Sequence, residues 1–520
     1  GDITSVGIFG QIGAGTNELA GDISTTNSNI SFATAVVVTG DVAMDTNTGL
    51  GNIVFTDILD SDTTPRNLTL SSGTGNVTFA GIVGGTNTLD VLNVNSAGIT
   101  TFSDAVKATS VTTDAAGTVE LDGQTVNTTG TQTYNDALSL GGNTTLTGST
   151  VTTKGTLSGA SHSLNVVGDA VFGDETTDIV TGLTTLDVSG ATTINTDTIT
   201  SADAQTYTGA VILGNSTTLT ATDDPILFSS TVNSEATKAN GMTVNVGSGD
   251  VTFTAAVGGV TNGELGALSV NSTGLTQFTA AINAASVATN IGGTLEINGG
   301  SVTTSGVQTY GENLTLGANT VLQGTTVTTN GTVSGAGNYS LNVTGDAVFG
   351  NESTDTVTGL TTLAVSGTSA INSSDITSTL TQDYTGAVTL GDDTTLSGQG
   401  ISFSSTIVSD GTNRALIVND SGTTTFGGVV GSTTVADQLT SLTTDAGGST
   451  TINGGAVYTT AAQTYNDNVI LGAGTVLSGT TVTTNGTLVG GSHSLAITGD
   501  AVFGNESTDT VTGLTTLAVS

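Results

Sequence analysis

GDAVFGDETTDIVTGLTTLDVS, residues Gly168–Ser189, decides how this chain is to be read, because it returns. It reappears as GDAVFGNESTDTVTGLTTLAVS at Gly345–Ser366 and again, unchanged from that second version, at Gly499–Ser520. Two further markers keep step with it. QTY ends at Tyr134, Tyr207, Tyr310 and Tyr465, with QDY ending at Tyr384; G-x-(V/T)-T-F ends at Phe79, Phe253 and Phe426. Phe79 to Phe253 spans 174 residues, Tyr134 to Tyr310 spans 176, and Phe172 to Phe349 spans 177, so one super-repeat is about 175 residues.

The third copy breaks the count in an instructive way. Phe253 to Phe426 is still 173, yet Tyr310 to Tyr465 is only 155 and Phe349 to Phe503 only 154. The shortage falls between Phe426 and Tyr465, and the pattern then resumes in step. A globular domain rarely survives such an internal loss, whereas a stacked solenoid can drop one whole coil because each coil touches only its neighbours.

Within a super-repeat the marks fall closer together: Phe79 to Phe102, Tyr207 to Phe228, Phe228 to Phe253 and Phe253 to Phe278 lie 23, 21, 25 and 25 residues apart. Between them run short alternating stretches such as Val251-Thr-Phe253, Leu164-Asn-Val166, Val119-Glu-Leu121, Leu295-Glu-Ile297 and Leu363-Ala-Val365, bounded by Gly, Asn or Asp. Period-two alternation with such punctuation reads as strand and turn. The one helix-like stretch, Phe278-Thr-Ala-Ala-Ile-Asn-Ala-Ala, aligns with Phe102-Ser-Asp-Ala-Val and is read as strand.

The expected fold is therefore an all-β, single-chain parallel β-solenoid of about 20 residues per coil. The super-repeats fall at 1–204 (partly divergent), 205–381, and 382–520 (one coil shorter and cut off in mid-pattern), predicted to form one continuous rod of roughly 26 coils. The rival is an array of β-sandwiches, which requires antiparallel pairing. Because the chain starts at Gly1 and stops in mid-repeat, it is expected to be a slice of something longer.

Composition narrows function. The 520 residues carry 5 Lys+Arg against 43 Asp+Glu, a net charge of −38, with 74 Gly, 2 Pro and no Cys or Trp. Hydrophobic residues at 35% suffice for a core, but aromatics at 4% mean that small aliphatics must fill it. Nucleic acid is excluded as a partner, since Arg66, Lys107, Lys154, Lys238 and Arg414 are scattered singly and phosphate contact needs clustered cations. No apolar run is long enough to span a bilayer, so no membrane insertion is expected in this segment.

Catalytic constellations are poor. The two histidines, His162 and His493, share one super-repeat position (SHSL), where the middle copy has Asn338 and Tyr339; they read as exposed turn residues. A polysaccharide-active β-helix needs clustered carboxylates with cations nearby, and the cations here recur at no fixed place; Lys154 aligns with Asn330 and Asn485.

Acidic groups occur at Asp57/Asp60/Asp62, Asp174/Glu175/Asp178, Asp223/Asp224, Glu352/Asp355, Asp392/Asp393 and Glu506/Asp509. Most read as solvated turn carboxylates that keep a β surface soluble. On the recurring (N/D)E(S/T)TD turn, Asp174, Glu175, Asp178, Glu352, Asp355, Glu506 and Asp509 are weak candidates for calcium, the one cofactor considered. Thr-rich runs such as Val327-Thr-Thr-Asn read as strand-favouring filler rather than an ice-binding array, since the coils vary in length. The recurrent Phe79/Phe253/Phe426 and Phe172/Phe349/Phe503 read as core.

GDVTFTAAVGG…LSVNSTGLTQF and GTLEINGGSVTTSGVQTYGENLTLGANTVL resemble the repeat regions of large bacterial exoproteins, the filamentous-haemagglutinin-like adhesins of two-partner secretion. The resemblance covers the whole chain in style. It implies a right-handed parallel β-helix, export to the bacterial surface, and a stalk or adhesive fibre. The family's Asn-Pro-Asn-Gly type secretion motif has no counterpart here; the only prolines are Pro65 and Pro225.

The function expected is a non-enzymatic extracellular shaft: a mechanical spacer in cell-surface or cell–cell adhesion. It would carry a cell-surface or glycan receptor contact and self-associate end-to-end or side-by-side. The alternatives are a self-assembling filament subunit and, behind it, the polysaccharide-active enzyme.

Overall fold

Val77-Thr-Phe79 shows how the alternation becomes structure. Val77 and Phe79 point inward and are buried, while Thr78 faces out. The strand pairs in register with Ile53–Phe55 before it and with Thr100–Phe102 after it, both parallel. The same local rule holds throughout the computed structural model, which describes residues 1–520.

The chain divides into two compact units, Gly1–Ser272 and Thr273–Ser520. Each is a parallel β-solenoid. In the first unit, strands Thr192–Ile194, Thr198–Ser201 and Gln205–Tyr207 make one coil, and Val211–Leu213, Thr217–Ala221 and Ile226–Phe228 the next. Pairing runs first to fourth, second to fifth and third to sixth, so a coil has three faces. The second unit repeats this, with Ser369–Ile371, Asp375–Ser378 and Gln382–Tyr384 stacked under Val388–Leu390, Thr394–Gly398 and Ile401–Phe403. Strand pairing within each unit is parallel, which removes the sandwich rival. The single helical element is a 3-10 turn at Val435–Asp437, and no helix is long and apolar enough to cross a membrane.

The core is aliphatic, as 4% aromatics requires, but the few rings are concentrated rather than scattered. Phe9, Phe32, Phe55, Phe79 and Phe102 form a column with centroids 4.9–5.5 Å apart. Its last three contacts are stacked within 7° of parallel. Tyr207, Phe228 and Phe253 form a second column, and Tyr384, Phe403 and Phe426 do so in the second unit. Parallel in-register pairing puts like above like, so a recurring Phe becomes a ladder in which each contact contributes about 0.5–1.5 kcal/mol beyond burial. Phe172 and Phe349 are buried as expected, whereas Phe503 is only half-buried.

Equivalent residues of successive super-repeats need not share a face. From Phe79 the ladder climbs eight rungs, through the strands ending at Phe102, Leu121 and Leu140, then through Leu157, Val180, Ile199 and Leu219 to Val244. Phe253 lies on the following strand, which stacks over Phe228 instead. From Phe79 to Phe253 the super-repeat is thus a whole number of coils plus one strand, and its feature moves to the next face.

Two expectations are refined. Strands are not uniformly short: Leu157–Phe172, Val333–Phe349 and Leu488–Phe503 run 16, 17 and 16 residues, turning corners at left-handed residues such as Ser161, Gly337 and Ser492. The helix-like stretch after Phe278 is a corner followed by the strand Ile282–Thr289.

The marker glycine has a steric cause. Gly345 has φ +125°, and a Cβ there would sit 1.9 Å from the carbonyl oxygen of Gly324 on the previous coil; Gly168 and Gly499 repeat this against Gly148 and Gly479. Only glycine fits such a backbone and such an approach.

Candidate functional site

The recurring acidic turn is built alike in all three copies. Gly173, Gly350 and Gly504 enter it with φ of +75°, +77° and +74°. Asp178 then turns back, and its Oδ2 accepts the backbone N–H groups of Asp174 and Glu175, both at 3.1 Å. Asp355 accepts from Asn351 and Glu352 at 3.0 and 3.1 Å, and Asp509 from Asn505 and Glu506 at 3.0 and 2.9 Å. The carboxylate expected to ligate calcium is thus the acceptor that closes its own turn, while Glu175, Glu352 and Glu506 stand exposed. No group of three or more His, Cys, Asp or Glu is placed to hold a metal ion.

The other acidic groups hold backbone as well. Asp60 Oδ1 accepts the N–H of Thr86 at 3.0 Å, Asp223 Oδ1 that of Ser248 at 2.9 Å, Asp393 Oδ1 that of Ala415 at 2.7 Å, and Asp57 that of its neighbour Ile58. Most of these partners lie one coil further on. Asparagines do the same in series: Asn29 accepts from Asn52 N–H (2.9 Å), Asn52 from Asn76 N–H (2.8 Å), and Asn76 from Ile99 N–H (2.9 Å). Corner Asp side chains, read from sequence as solvated turn carboxylates, and corner Asn side chains, read only as strand boundaries, therefore staple one coil to the next.

The cations correct the expectation that they recur nowhere. The loop between Leu59–Ser61 and Leu68–Gly73 carries Arg66, and its counterpart between Ile407–Ser409 and Leu416–Asp420 carries Arg414. The corresponding loop after Val232–Ser234 carries Lys238. Arg66 grips Asp62 through Nε and Nη2 at 3.1 and 2.9 Å. Arg414 grips Asp410 at 3.2 and 3.0 Å and approaches Asp392 at 3.8 Å. Those guanidiniums hold Asp62 and Asp410 below the usual carboxylate range, chiefly through the side-chain hydrogen bonds.

The histidines also differ from expectation. His162 and His493 lie within long strands, not turns, half-buried at a bulge where they pair with Leu183 and Leu514. Tyr339 takes the same place opposite Leu360. Neither imidazole bonds a carboxylate. The recesses are open grooves lined by small residues, such as one of 470 Å³ beside Asp197, Ser216 and Met242.

Sequence reasoning missed a buried polar corner. In QTY and QDY both Gln and Tyr point into the core. Tyr134 Oη donates to Gln132 Oε1 at 2.9 Å, and Gln132 Nε2 donates to the carbonyls of Val126 and Thr147 at 3.0 and 2.8 Å. The Tyr–Gln bond recurs at Tyr207, Tyr310, Tyr384 and Tyr465, at 2.8–3.0 Å. Burial drives all five phenols far above their ordinary pKa.

Two residues beyond three of these tyrosines sits an acid in the same inward phase. Asp136, Glu312 and Asp467 are only 2%, 4% and 5% exposed. Asp467 is satisfied, accepting from Thr444 Oγ1 at 2.8 Å and from Thr450 Oγ1 at 3.0 and 2.8 Å. No donor reaches either oxygen of Asp136 or Glu312 in hydrogen-bond geometry. Burial pushes Asp136 up to about 6, the nearby Thr113 hydroxyl pulling partly back and the Asp114 charge adding to the rise. It pushes Glu312 up to about 7, with Thr289 opposing. Asp467 is also raised by burial, against the pull of Thr450 and Thr444. Gln132, Tyr134, Asp136, Leu138 and Leu140 are in phase along the sequence, and that phase is the signal that could have found the corner.

No family model, no curated protein and no solved structure matches this chain.

Proposed function

We propose that this chain is a structural shaft segment of an extracellular surface fibre, a mechanical spacer in a large adhesin-like bacterial protein. The observation that carries the reading is the double coupling of coil to coil. Parallel backbone ladders join every face, and corner side chains, such as the Asn29–Asn52–Asn76 series, add a second set of bonds across the same gaps. Force on one coil is shared by three strands, the corner bonds and a continuous core, and length is set by adding or removing coils.

The chemistry that is crowded together elsewhere in enzymes is here dispersed into turn closures and ion pairs. Arg66 and Arg414 are paired with their own loop aspartates, and the three lysines, Lys107, Lys154 and Lys238, are far apart in sequence, a distribution that does not suit binding to nucleic acid. The strongly negative charge suits a fibre that must stay soluble.

Immunogold electron microscopy of the intact source cells with antibody to this chain tests the reading. Decoration along surface fibres of one fixed length is expected. Fibres of indefinite length would turn the reading into the self-assembling filament, and labelling confined to the cell interior would overturn it.

A further inference from the structure

The three acid corners are one design executed in two ways. In the third copy, Thr450 stands on the strand Ser449–Ile452, which pairs with the strand Asn468–Leu471 that follows Asp467. The same pairing in the first copy, Leu121 with Leu140, puts Val119 at the position of Thr450; in the second, Ile297 with Leu316, it puts Leu295 there. Where the hydroxyl is present, the carboxyl has two hydroxyl donors. Where it is an alkyl group, both carboxyl oxygens are orphaned at 2–4% exposure. The remaining hydroxyls, Thr113 and Thr289, accept the N–H groups of Asn135 and Gly311; each lies near enough to its acid to oppose the rise in pKa but outside hydrogen-bond geometry, whereas the third corner has both Thr444 and Thr450 in place.

The charges around each corner are few. Asp136 has Asp114 on the corner one coil before and Lys154 on the corner one coil after, and Lys154 forms no ion pair with it. Glu312 faces Asn290 and Asn330, with no charge on either side. Asp467 has Asp445 before it and Asn485 after it.

We propose that the Asp136 and Glu312 corners are acid-tightened joints: the coils there pack best with a neutral carboxyl and loosen as it ionises, while the Asp467 corner is relieved of that response by Thr450. A buried ionised carboxylate without partners is costly, so folding favours the protonated form. The direction follows from linkage. An acid whose folded pKa is raised takes up a proton on folding between its unfolded and folded values, so stability falls as pH rises through that window and is level above it. The window runs from about 4, the ordinary carboxylate value, to about 6 for Asp136 and about 7 for Glu312. Across it the local opening equilibrium should rise roughly a hundredfold at the Asp136 corner and roughly several-hundredfold at the Glu312 corner.

Hydrogen exchange on the full chain, corrected for intrinsic rates, reads all three corners at once. Between pH 4 and pH 8 the protection of Thr131–Leu140 is expected to fall about a hundredfold and that of Gln308–Leu316 roughly several-hundredfold, and that of Gln463–Leu471 clearly less. General repulsion among the acids would lower the three in parallel, and that result would overturn the proposal. Leu295→Thr is expected to bring the second corner down to the response of the third, and Thr450→Val to raise the third to that of the first two. If neither exchange moves its own corner, the proposal also fails.

Discussion

From Phe79 to Leu140 the first unit climbs three rungs, by way of Phe102 and Leu121. The corresponding climb in the second unit, Phe426 to Leu471, takes two, by way of Ile452. Both routes end at the same buried Tyr–Gln bond, Tyr134 to Gln132 and Tyr465 to Gln463. One coil fewer leaves every later register intact, because a coil is bonded only to its neighbours.

What differs is the polar inventory inside. The longer route is aliphatic at Val119 and strands its carboxyl. The shorter one carries Thr450 beside Asp467, and buries Asp420 as an acceptor for the N–H groups of Gly400, Ile401 and Gly422 and for the Thr424 hydroxyl. Coil number and corner chemistry thus vary independently: the ladder tolerates loss of a rung, while each buried acid needs its own local solution.

The comparison can be broken most severely by deletion. Removing residues 103–121, which hands the place of Leu121 to Phe102, is expected to leave a folded chain with a cooperative melt by circular dichroism. Removing residues 103–112 alone should abolish that melt in the first unit, because the strands that follow would land on the wrong face. If both deletions are equally tolerated, the rung account fails.

Gly345→Ala comes next. It puts a methyl group against the Gly324 carbonyl and should cost about 2–4 kcal/mol in urea unfolding; a neutral result would mean that coils can slide apart there. Gln308→Leu leaves the Tyr310 hydroxyl without its acceptor in the core and should cost about 1–3 kcal/mol. The same change at Gln463, on the shorter route, should cost a similar amount if the corner is independent of coil number. The smallest effect belongs to Arg414→Met, which removes a partly exposed ion pair worth at most about 1 kcal/mol and whose loss should fade further in high salt.

Fold and core were legible because Val77-Thr-Phe79 and its kin alternate strictly and because only a coil-sized deletion explains the step from Phe426 to Tyr465. Corners were not. Asp122 and Asp136 look alike in sequence, yet Asp136 continues the inward phase of Gln132 and Tyr134 and is buried, whereas Asp122 follows Leu121 out of phase and is exposed. That Asp178, Asp355 and Asp509 accept the backbone N–H groups of their own turns was likewise hidden, because composition shows that a carboxylate is present and not which way it turns. The Arg66 and Arg414 loops do keep the super-repeat spacing, with 172 residues from Arg66 to Lys238 and 176 from Lys238 to Arg414, but a change from Arg to Lys and back, with no repeated motif around it, hid the recurrence.

The stacking itself is tested most directly by one distance. The chain has no Cys, so spin labels at Thr112→Cys and Ile212→Cys are unique. These outward positions are joined through Thr133, Thr152, Val171 and Thr193, five rungs in all. At about 4.8 Å per rung their backbones lie roughly 24 Å apart. A single narrow double electron–electron resonance distribution near that value, widened only by the label arms, is the expected result; a broad distribution centred beyond about twice that length would contradict coil-on-coil stacking.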